Sequence, residues 1–145
     1  MQRVCVVAAS GQNVFFEELL TALERELHER GVETARAVDH FPPLDNASAY
    51  LFVPHEYVPL TMPGAHPSTG QLRRSVALCT EQPGTPWFEE AAAVAQRAGA
   101  VVDINPQGAA ELARRGVEAR LLQLGWTAEW DRWGGDESRE RPIDV

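Results

Sequence analysis

Apolar runs rich in β-branched residues alternate along this chain with segments whose apolar positions recur at helical spacing. Arg3–Ala9 is almost wholly apolar, as a strand buried on both faces must be. Phe16, Leu19, Leu20, Leu23 and Leu27 then form one helical stripe; Asn13 can cap it, Glu17 and Glu18 suit its positive end, and Gly31 stops it. Further strands are predicted over Val32–Val38, Ala49–Val53, Val76–Thr80, Ala100–Ile104 and Ala119–Leu124.

The connections carry their own punctuation. Ser68-Thr69-Gly70-Gln71 has the form of a capping box and opens a short helix through Arg74. Thr85-Pro86 and Asn105-Pro106 each place a side-chain cap before a proline at the first helical position, and those helices should end near Gly99 and Gly116. Pro42 and Pro43 leave little room for a regular helix between the second and third strands.

Strands that alternate with crossover helices belong to a parallel sheet. The expected fold is therefore α/β, a Rossmann-like three-layer domain over residues 1–130 with a mostly parallel sheet of about six strands. Trp126, Trp130 and Trp133 follow Gly125, either as the core side of a C-terminal helix or as interface anchors. Residues 131–141 have linker composition, and residues 142–145 read as the start of a truncated second domain.

Composition narrows the chemistry. The net charge is −8, all 13 bases are Arg, and the only basic clusters are Arg73-Arg74 and Arg114-Arg115, so nucleic acid is not an expected partner. Without lysine there is no P-loop ammonium and no Schiff base. Cys5 and Cys79 sit in apolar strand runs as small hydrophobes, and no histidine spacing suggests a metal. No apolar run reaches the ~20 residues of a transmembrane segment and no signal-peptide pattern opens the chain, which points to the cytoplasm.

In open parallel sheets, ligands bind beyond the C-terminal ends of the strands. After the first strand lies Ser10-Gly11-Gln12-Asn13, an ordinary capped turn or a weak anion cradle, without a dinucleotide or P-loop glycine pattern. After the third lies Pro54-His55-Glu56-Tyr57, which joins an imidazole to a carboxylate, the composition of a general-base site. Consecutive strand residues face opposite ways, so a direct His55–Glu56 pair requires the backbone to leave strand geometry at Pro54. After the fourth come Glu81, Gln82 and the cap Thr85, which could hold a polyhydroxylated ligand or simply form a strand-to-helix turn.

The strings Tyr50-Leu51-Phe52-Val53-Pro54-His55-Glu56-Tyr57 and Glu81-Gln82-Pro83-Gly84-Thr85-Pro86-Trp87-Phe88, with Val102-Asp103-Ile104-Asn105 leading to Leu124-Gly125-Trp126, resemble the N-terminal half of bacterial GT-B glycosyltransferases, particularly the spore-maturation type. The resemblance implies transfer of a sugar from a nucleotide donor to an acceptor hydroxyl. On it, residues 3–130 form the acceptor-binding half, and the nucleotide sugar binds a C-terminal donor-binding half, in the same polypeptide or a separate subunit. This chain would then hold no cofactor or metal and would not complete transfer alone. His55, Glu56 and Glu81 would be catalytic, with His55 the first choice for the base or for acceptor contact and Glu56 or Glu81 next, and Gly11, Asn13, Gln82 and Thr85 would contact an acceptor small molecule or glycan. The alternative is a standalone Rossmann- or flavodoxin-like module for ligand binding or protein interaction.

Overall fold

The computed structural model describes residues 3–44 and 48–125. Within them the strands are β1 (Arg3–Ala8), β2 (Glu33–Val38), β3 (Ser48–Phe52), β4 (Ser75–Cys79), β5 (Ala100–Asp103) and β6 (Ala119–Leu121). The helices are α1 (Val14–Glu29), α2 (Pro54–Leu60), α3 (Thr69–Leu72), α4 (Pro86–Ala95) and α5 (Pro106–Arg114), with a 3-10 turn at Pro63–Ala65. The linker expected at 131–141, the strand start at 142–145 and the three tryptophans after Gly125 lie outside the described residues.

The six strands form one all-parallel sheet in the order β2-β1-β3-β4-β5-β6. The domain is Rossmann-like, and the strand order reverses between β1 and β3. From β1 the chain steps outward to β2. It then returns past β1 to β3 and continues the other way. Because βαβ crossovers are right-handed, opposite steps put their connections on opposite faces.

The core follows that rule. On one face α1 is the one helix among the described residues: Phe16, Leu19 and Leu20 meet Val6, Ala8, Leu51, Val53 and Leu78. On the other, Cys5, Val7, Tyr50 and Phe52 pack with Tyr57 of α2, Leu72 of α3 and Phe41 of the β2–β3 crossover. Beside them Cys79 and Val101 pack with Phe88 of α4 and Leu112 of α5. Alternate strand residues thus serve opposite faces, as the two-residue period requires.

The predicted caps form. The Asn13, Thr85 and Asn105 side chains accept from the backbone N–H of Phe15, Phe88 and Gln107 respectively. Ser68 and Gln71 make the reciprocal capping box. As the paired prolines require, residues 39–44 hold no helix. Tyr50 Oη and Gln71 Nε2 hold this crossover by donating to the Pro42 carbonyl, at 2.8 and 2.9 Å.

Two expectations change. Pro54 does more than end the strand, because as the first residue of α2 it winds His55 and Glu56 into a helical first turn. The last strand is also shorter than the apolar run suggests: after Leu121 only the Leu122 amide continues the ladder, donating to the Asp103 carbonyl.

Candidate functional site at the strand-order reversal

The C-terminal ends of β1, β3, β4 and β5 present Asn13, His55, Glu56, Glu81 and Asp103. α2 makes the grouping possible. Its first turn directs His55 inward, where the side chain is 2% exposed, while Glu56 remains 19% exposed. His55 packs edge-on against Phe16 of α1, with ring centroids 5.0 Å apart.

The nearest carboxylate to His55 comes from the turn after β4. Glu81 Oε1 lies 3.0 Å from His55 Nε2, whereas Glu56 Oε1 lies 3.9 Å away. The residue next to His55 in sequence is thus the more distant partner. The short contact runs off the hydrogen-bond line, and neither ring nitrogen makes a well-aligned hydrogen bond among the described residues. Glu56 turns its other oxygen to the loop after β1: Oε2 accepts the Asn13 backbone N–H at 2.8 Å. Thr80 Oγ1 approaches the His55-facing oxygen of Glu81 at 3.5 Å.

Burial sets the protonation of the group. It pushes His55 down to about 4, so the imidazole is neutral at pH 7. Burial also raises the Glu81 carboxyl, with the Glu56 charge adding to the effect and the Thr80 hydroxyl opposing it. At 24% exposed, Glu81 is nonetheless the most accessible of the three.

Asp103, at the end of β5, lies inside the strand predicted over Ala100–Ile104 and was not among the site residues expected from the sequence. It is fully buried. Its Oδ1 accepts the Asn105 backbone N–H at 2.8 Å, and its Oδ2 has no hydrogen-bond partner among the described residues. Burial raises its pKa to about 6, with the Glu81 charge adding and the Asn105 amide opposing. The available signal was an acidic residue inside an otherwise apolar strand, paired in register with buried Cys79.

The remaining predicted contacts divide. Gln82 lines a cavity of about 470 Å³ at the same sheet edge, together with Pro83, Asn105, Gln107, Ala110 and Arg114. Thr85 is occupied as a cap, and its hydroxyl is also placed to donate to the Gln82 carbonyl at 3.0 Å. Asn13 spends its side chain on Phe15 N–H and offers its backbone amide to Glu56. Gly11 is exposed at φ +78°, where glycine is free of the strain a side chain would bring, and it makes the turn into α1.

That turn has a second support. Asp39, at φ 59° just after β2, accepts the Ser10 backbone N–H at 2.7 Å and the Ser10 hydroxyl at 2.6 Å. These two bonds hold the Asp39 carboxyl below its ordinary range. The loop after β1 is therefore tied to β2 on one side and to α2 on the other.

Among the described residues no helix is long and apolar enough to cross a membrane, and no group of three or more potential ligands could hold a metal ion. No family model, curated protein or solved structure matches the chain.

Proposed function

We propose that this Rossmann-like domain is the acceptor-binding half of a nucleotide-sugar-dependent glycosyltransferase and that Glu81 receives the acceptor's hydroxyl proton. The reading rests on the resemblance of the His55-Glu56 and Glu81-Gln82 strings. The observation that carries it is the pairing of those two strings in space, with His55 Nε2 3.0 Å from Glu81 Oε1 beside the strand-order reversal.

Within the pair the roles follow from access. A group that takes a proton must reach it. His55 is sealed beneath Glu81, which makes it a positioning residue, whereas Glu81 has open surface and a pKa raised toward neutrality. Glu56, fixed by the Asn13 amide, supplies the like charge that helps to raise it. The amides of Gln82, Asn105 and Gln107 in the adjoining cavity suit a hydroxyl-rich acceptor.

In the complete reaction the acceptor oxygen bonds to the anomeric carbon. The bond from that carbon to the donor's diphosphate oxygen breaks, the electron pair leaves with the nucleoside diphosphate, and the hydroxyl proton passes to Glu81. The donor would come from a C-terminal half, so this chain alone supplies acceptor binding and the base.

Ligand-observed NMR against a panel of mono- and oligosaccharides, nucleotide sugars, flavin and nicotinamide nucleotides tests the reading. Saccharide or other polyol binding that Gln82→Ala or Gln107→Ala weakens supports it. Binding of a flavin or nicotinamide nucleotide in place of a polyol would assign the site to a standalone cofactor module.

A further inference from the structure

We propose that the acceptor carries a protonated amine beside its reacting hydroxyl and that Glu56 is the residue that selects it. The inference rests on the acceptor-binding reading and names the class of acceptor.

The site gathers negative charge without a counter-charge. Glu56 Oε1 and Glu81 Oε1 converge on His55 Nε2, at 3.9 and 3.0 Å. The imidazole beneath them is 2% exposed, and neither of its nitrogens makes a well-aligned hydrogen bond among the described residues. Burial keeps it neutral at pH 7, so it offsets neither carboxylate. None of the described arginines pairs with Glu56 or Glu81. Arg36 is engaged by Glu17 and Glu24, and Arg115 by Glu89 and Glu111. The sequence has no lysine to bring an ammonium group there. Two half-sheltered like charges are stabilised by a cation placed between them, and here the ligand has to supply it.

The loop after β1 is closed to the opposite kind of ligand. Its backbone donors at Ala9, Ser10 and Asn13 are taken by side-chain oxygens of Gln12, Asp39 and Glu56. In a Rossmann-like sheet, amides at this place can otherwise meet a phosphate. Two of the three acceptors are carboxylates, which would repel one.

Glu56 is also held in position. The Asn13 amide fixes Oε2 at 2.8 Å and turns Oε1 toward His55. Since Glu81 takes the hydroxyl proton, Glu56 has no acid–base step to perform and its charge is left for recognition. An ammonium on the carbon next to the reacting hydroxyl can meet Glu56 while that hydroxyl meets Glu81, because the two carboxylate oxygens converge on one atom. The amides of Gln82, Asn105 and Gln107 in the adjoining cavity suit further hydroxyls. The class these groups fit is an amino sugar or an aminocyclitol.

Ligand-observed NMR titration of the full chain with glucosamine, glucose and N-acetylglucosamine tests the inference, because only the first carries a positive charge. Glucosamine should bind about tenfold more tightly than either neutral sugar at low salt, and added salt should narrow the margin. Glu56→Gln can still accept the Asn13 amide, and it should bring glucosamine to the level of glucose while glucose itself is unchanged. Unchanged glucose binding also shows that the variant is folded. Equal binding of the three sugars, or a glucosamine preference that survives in Glu56→Gln, would overturn the inference and leave the acceptor reading in place. Displacement of glucosamine by stoichiometric Mg²⁺ would overturn it by giving the carboxylate pair to a metal ion. Trans-2-aminocyclohexanol carries the amino alcohol without the sugar. If it alone bound, and Glu56→Gln abolished its binding, the amine contact would stand and the saccharide reading would fall. Binding of none of the four compounds would overturn both.

Discussion

Gly108 of α5 lies so close to Asp103 that a Cβ built on it would sit 2.4 Å from Asp103 Oδ2. The buried carboxylate cannot swing away easily, because its other oxygen is held by the Asn105 amide and its surroundings are packed. Gly108→Ala therefore sets overpacking of about 1–3 kcal/mol against a helix-propensity gain of about 1 kcal/mol. Denaturant unfolding should show net destabilisation in the wild-type background. In an Asp103→Ala background the clash is gone, and the same substitution should be neutral or stabilising. Equal destabilisation in both backgrounds would mean that the glycine serves something other than the carboxylate.

His55 and Asp103 should tilt stability in opposite directions with pH. His55 has a depressed folded pKa of about 4, so the unfolded chain binds more protons between about 4 and 6.5, and stability falls as pH drops through that window. Asp103 has a raised folded pKa of about 6, so its contribution is full at low pH and is lost as pH rises through 6. Each is worth at most about 3 kcal/mol, and the raised Glu81 acts in the same sense as Asp103. Chemical denaturation across pH 4–7 should show partial cancellation in the wild type. Asp103→Asn should leave a stability that rises with pH, and His55→Gln one that falls.

Much of the fold was legible because it is written in local signals. The caps at Asn13, Ser68, Thr85 and Asn105 act within three residues of themselves, and the paired prolines forbid a helix by covalent geometry. What remained hidden depends on residues far apart in sequence. Pro54 marked the point where the backbone leaves strand geometry, but α2 is held by burial of Tyr57 against Phe41 and Phe52, which no local pattern shows. Likewise His55 has Glu56 beside it in sequence, while sheet order brings Glu81, just after β4, nearer. Asp39 was invisible for the same reason, since its role is fixed by the pairing of β1 with β2.

The β2–β3 crossover should depend on Gln71 more than a capping residue ordinarily would. Its Oε1 accepts the Ser68 amide, while its Nε2 approaches the Phe41 and Pro42 carbonyls at 3.3 and 2.9 Å. Gln71→Ala removes half of the capping box together with a tether on the crossover, and each loss is worth about 1 kcal/mol. Thermal unfolding should record a combined loss of about 2 kcal/mol. Gln71→Glu keeps the acceptor but loses the donor and should be intermediate. A Glu variant as damaging as Ala would assign the effect to the tether alone.

On the proposed acceptor-binding role, turnover gives the sharpest separation of roles at the site, measured with a donor-binding half supplied in the same chain or in trans. Glu81→Gln should lower kcat about a hundredfold or more, the scale of a lost general base, with acceptor KM changing only a few-fold. The base must be ionised to act, so activity should fall as pH drops through the Glu81 pKa. Glu56→Gln removes the neighbouring negative charge, which raises that pKa, yet can still accept the Asn13 amide. Its acid limb should therefore move to lower pH while its maximal rate stays within a few-fold of wild type. A merely structural Glu56 would change the amplitude of the profile and leave the limb in place. His55→Gln preserves a polar group under Glu81 and should alter kcat more than KM, because the imidazole is sealed from the acceptor. If His55→Gln abolished turnover while Glu81→Gln left it within a few-fold of wild type, the proton would have to pass to the imidazole, which would require the site to open above it.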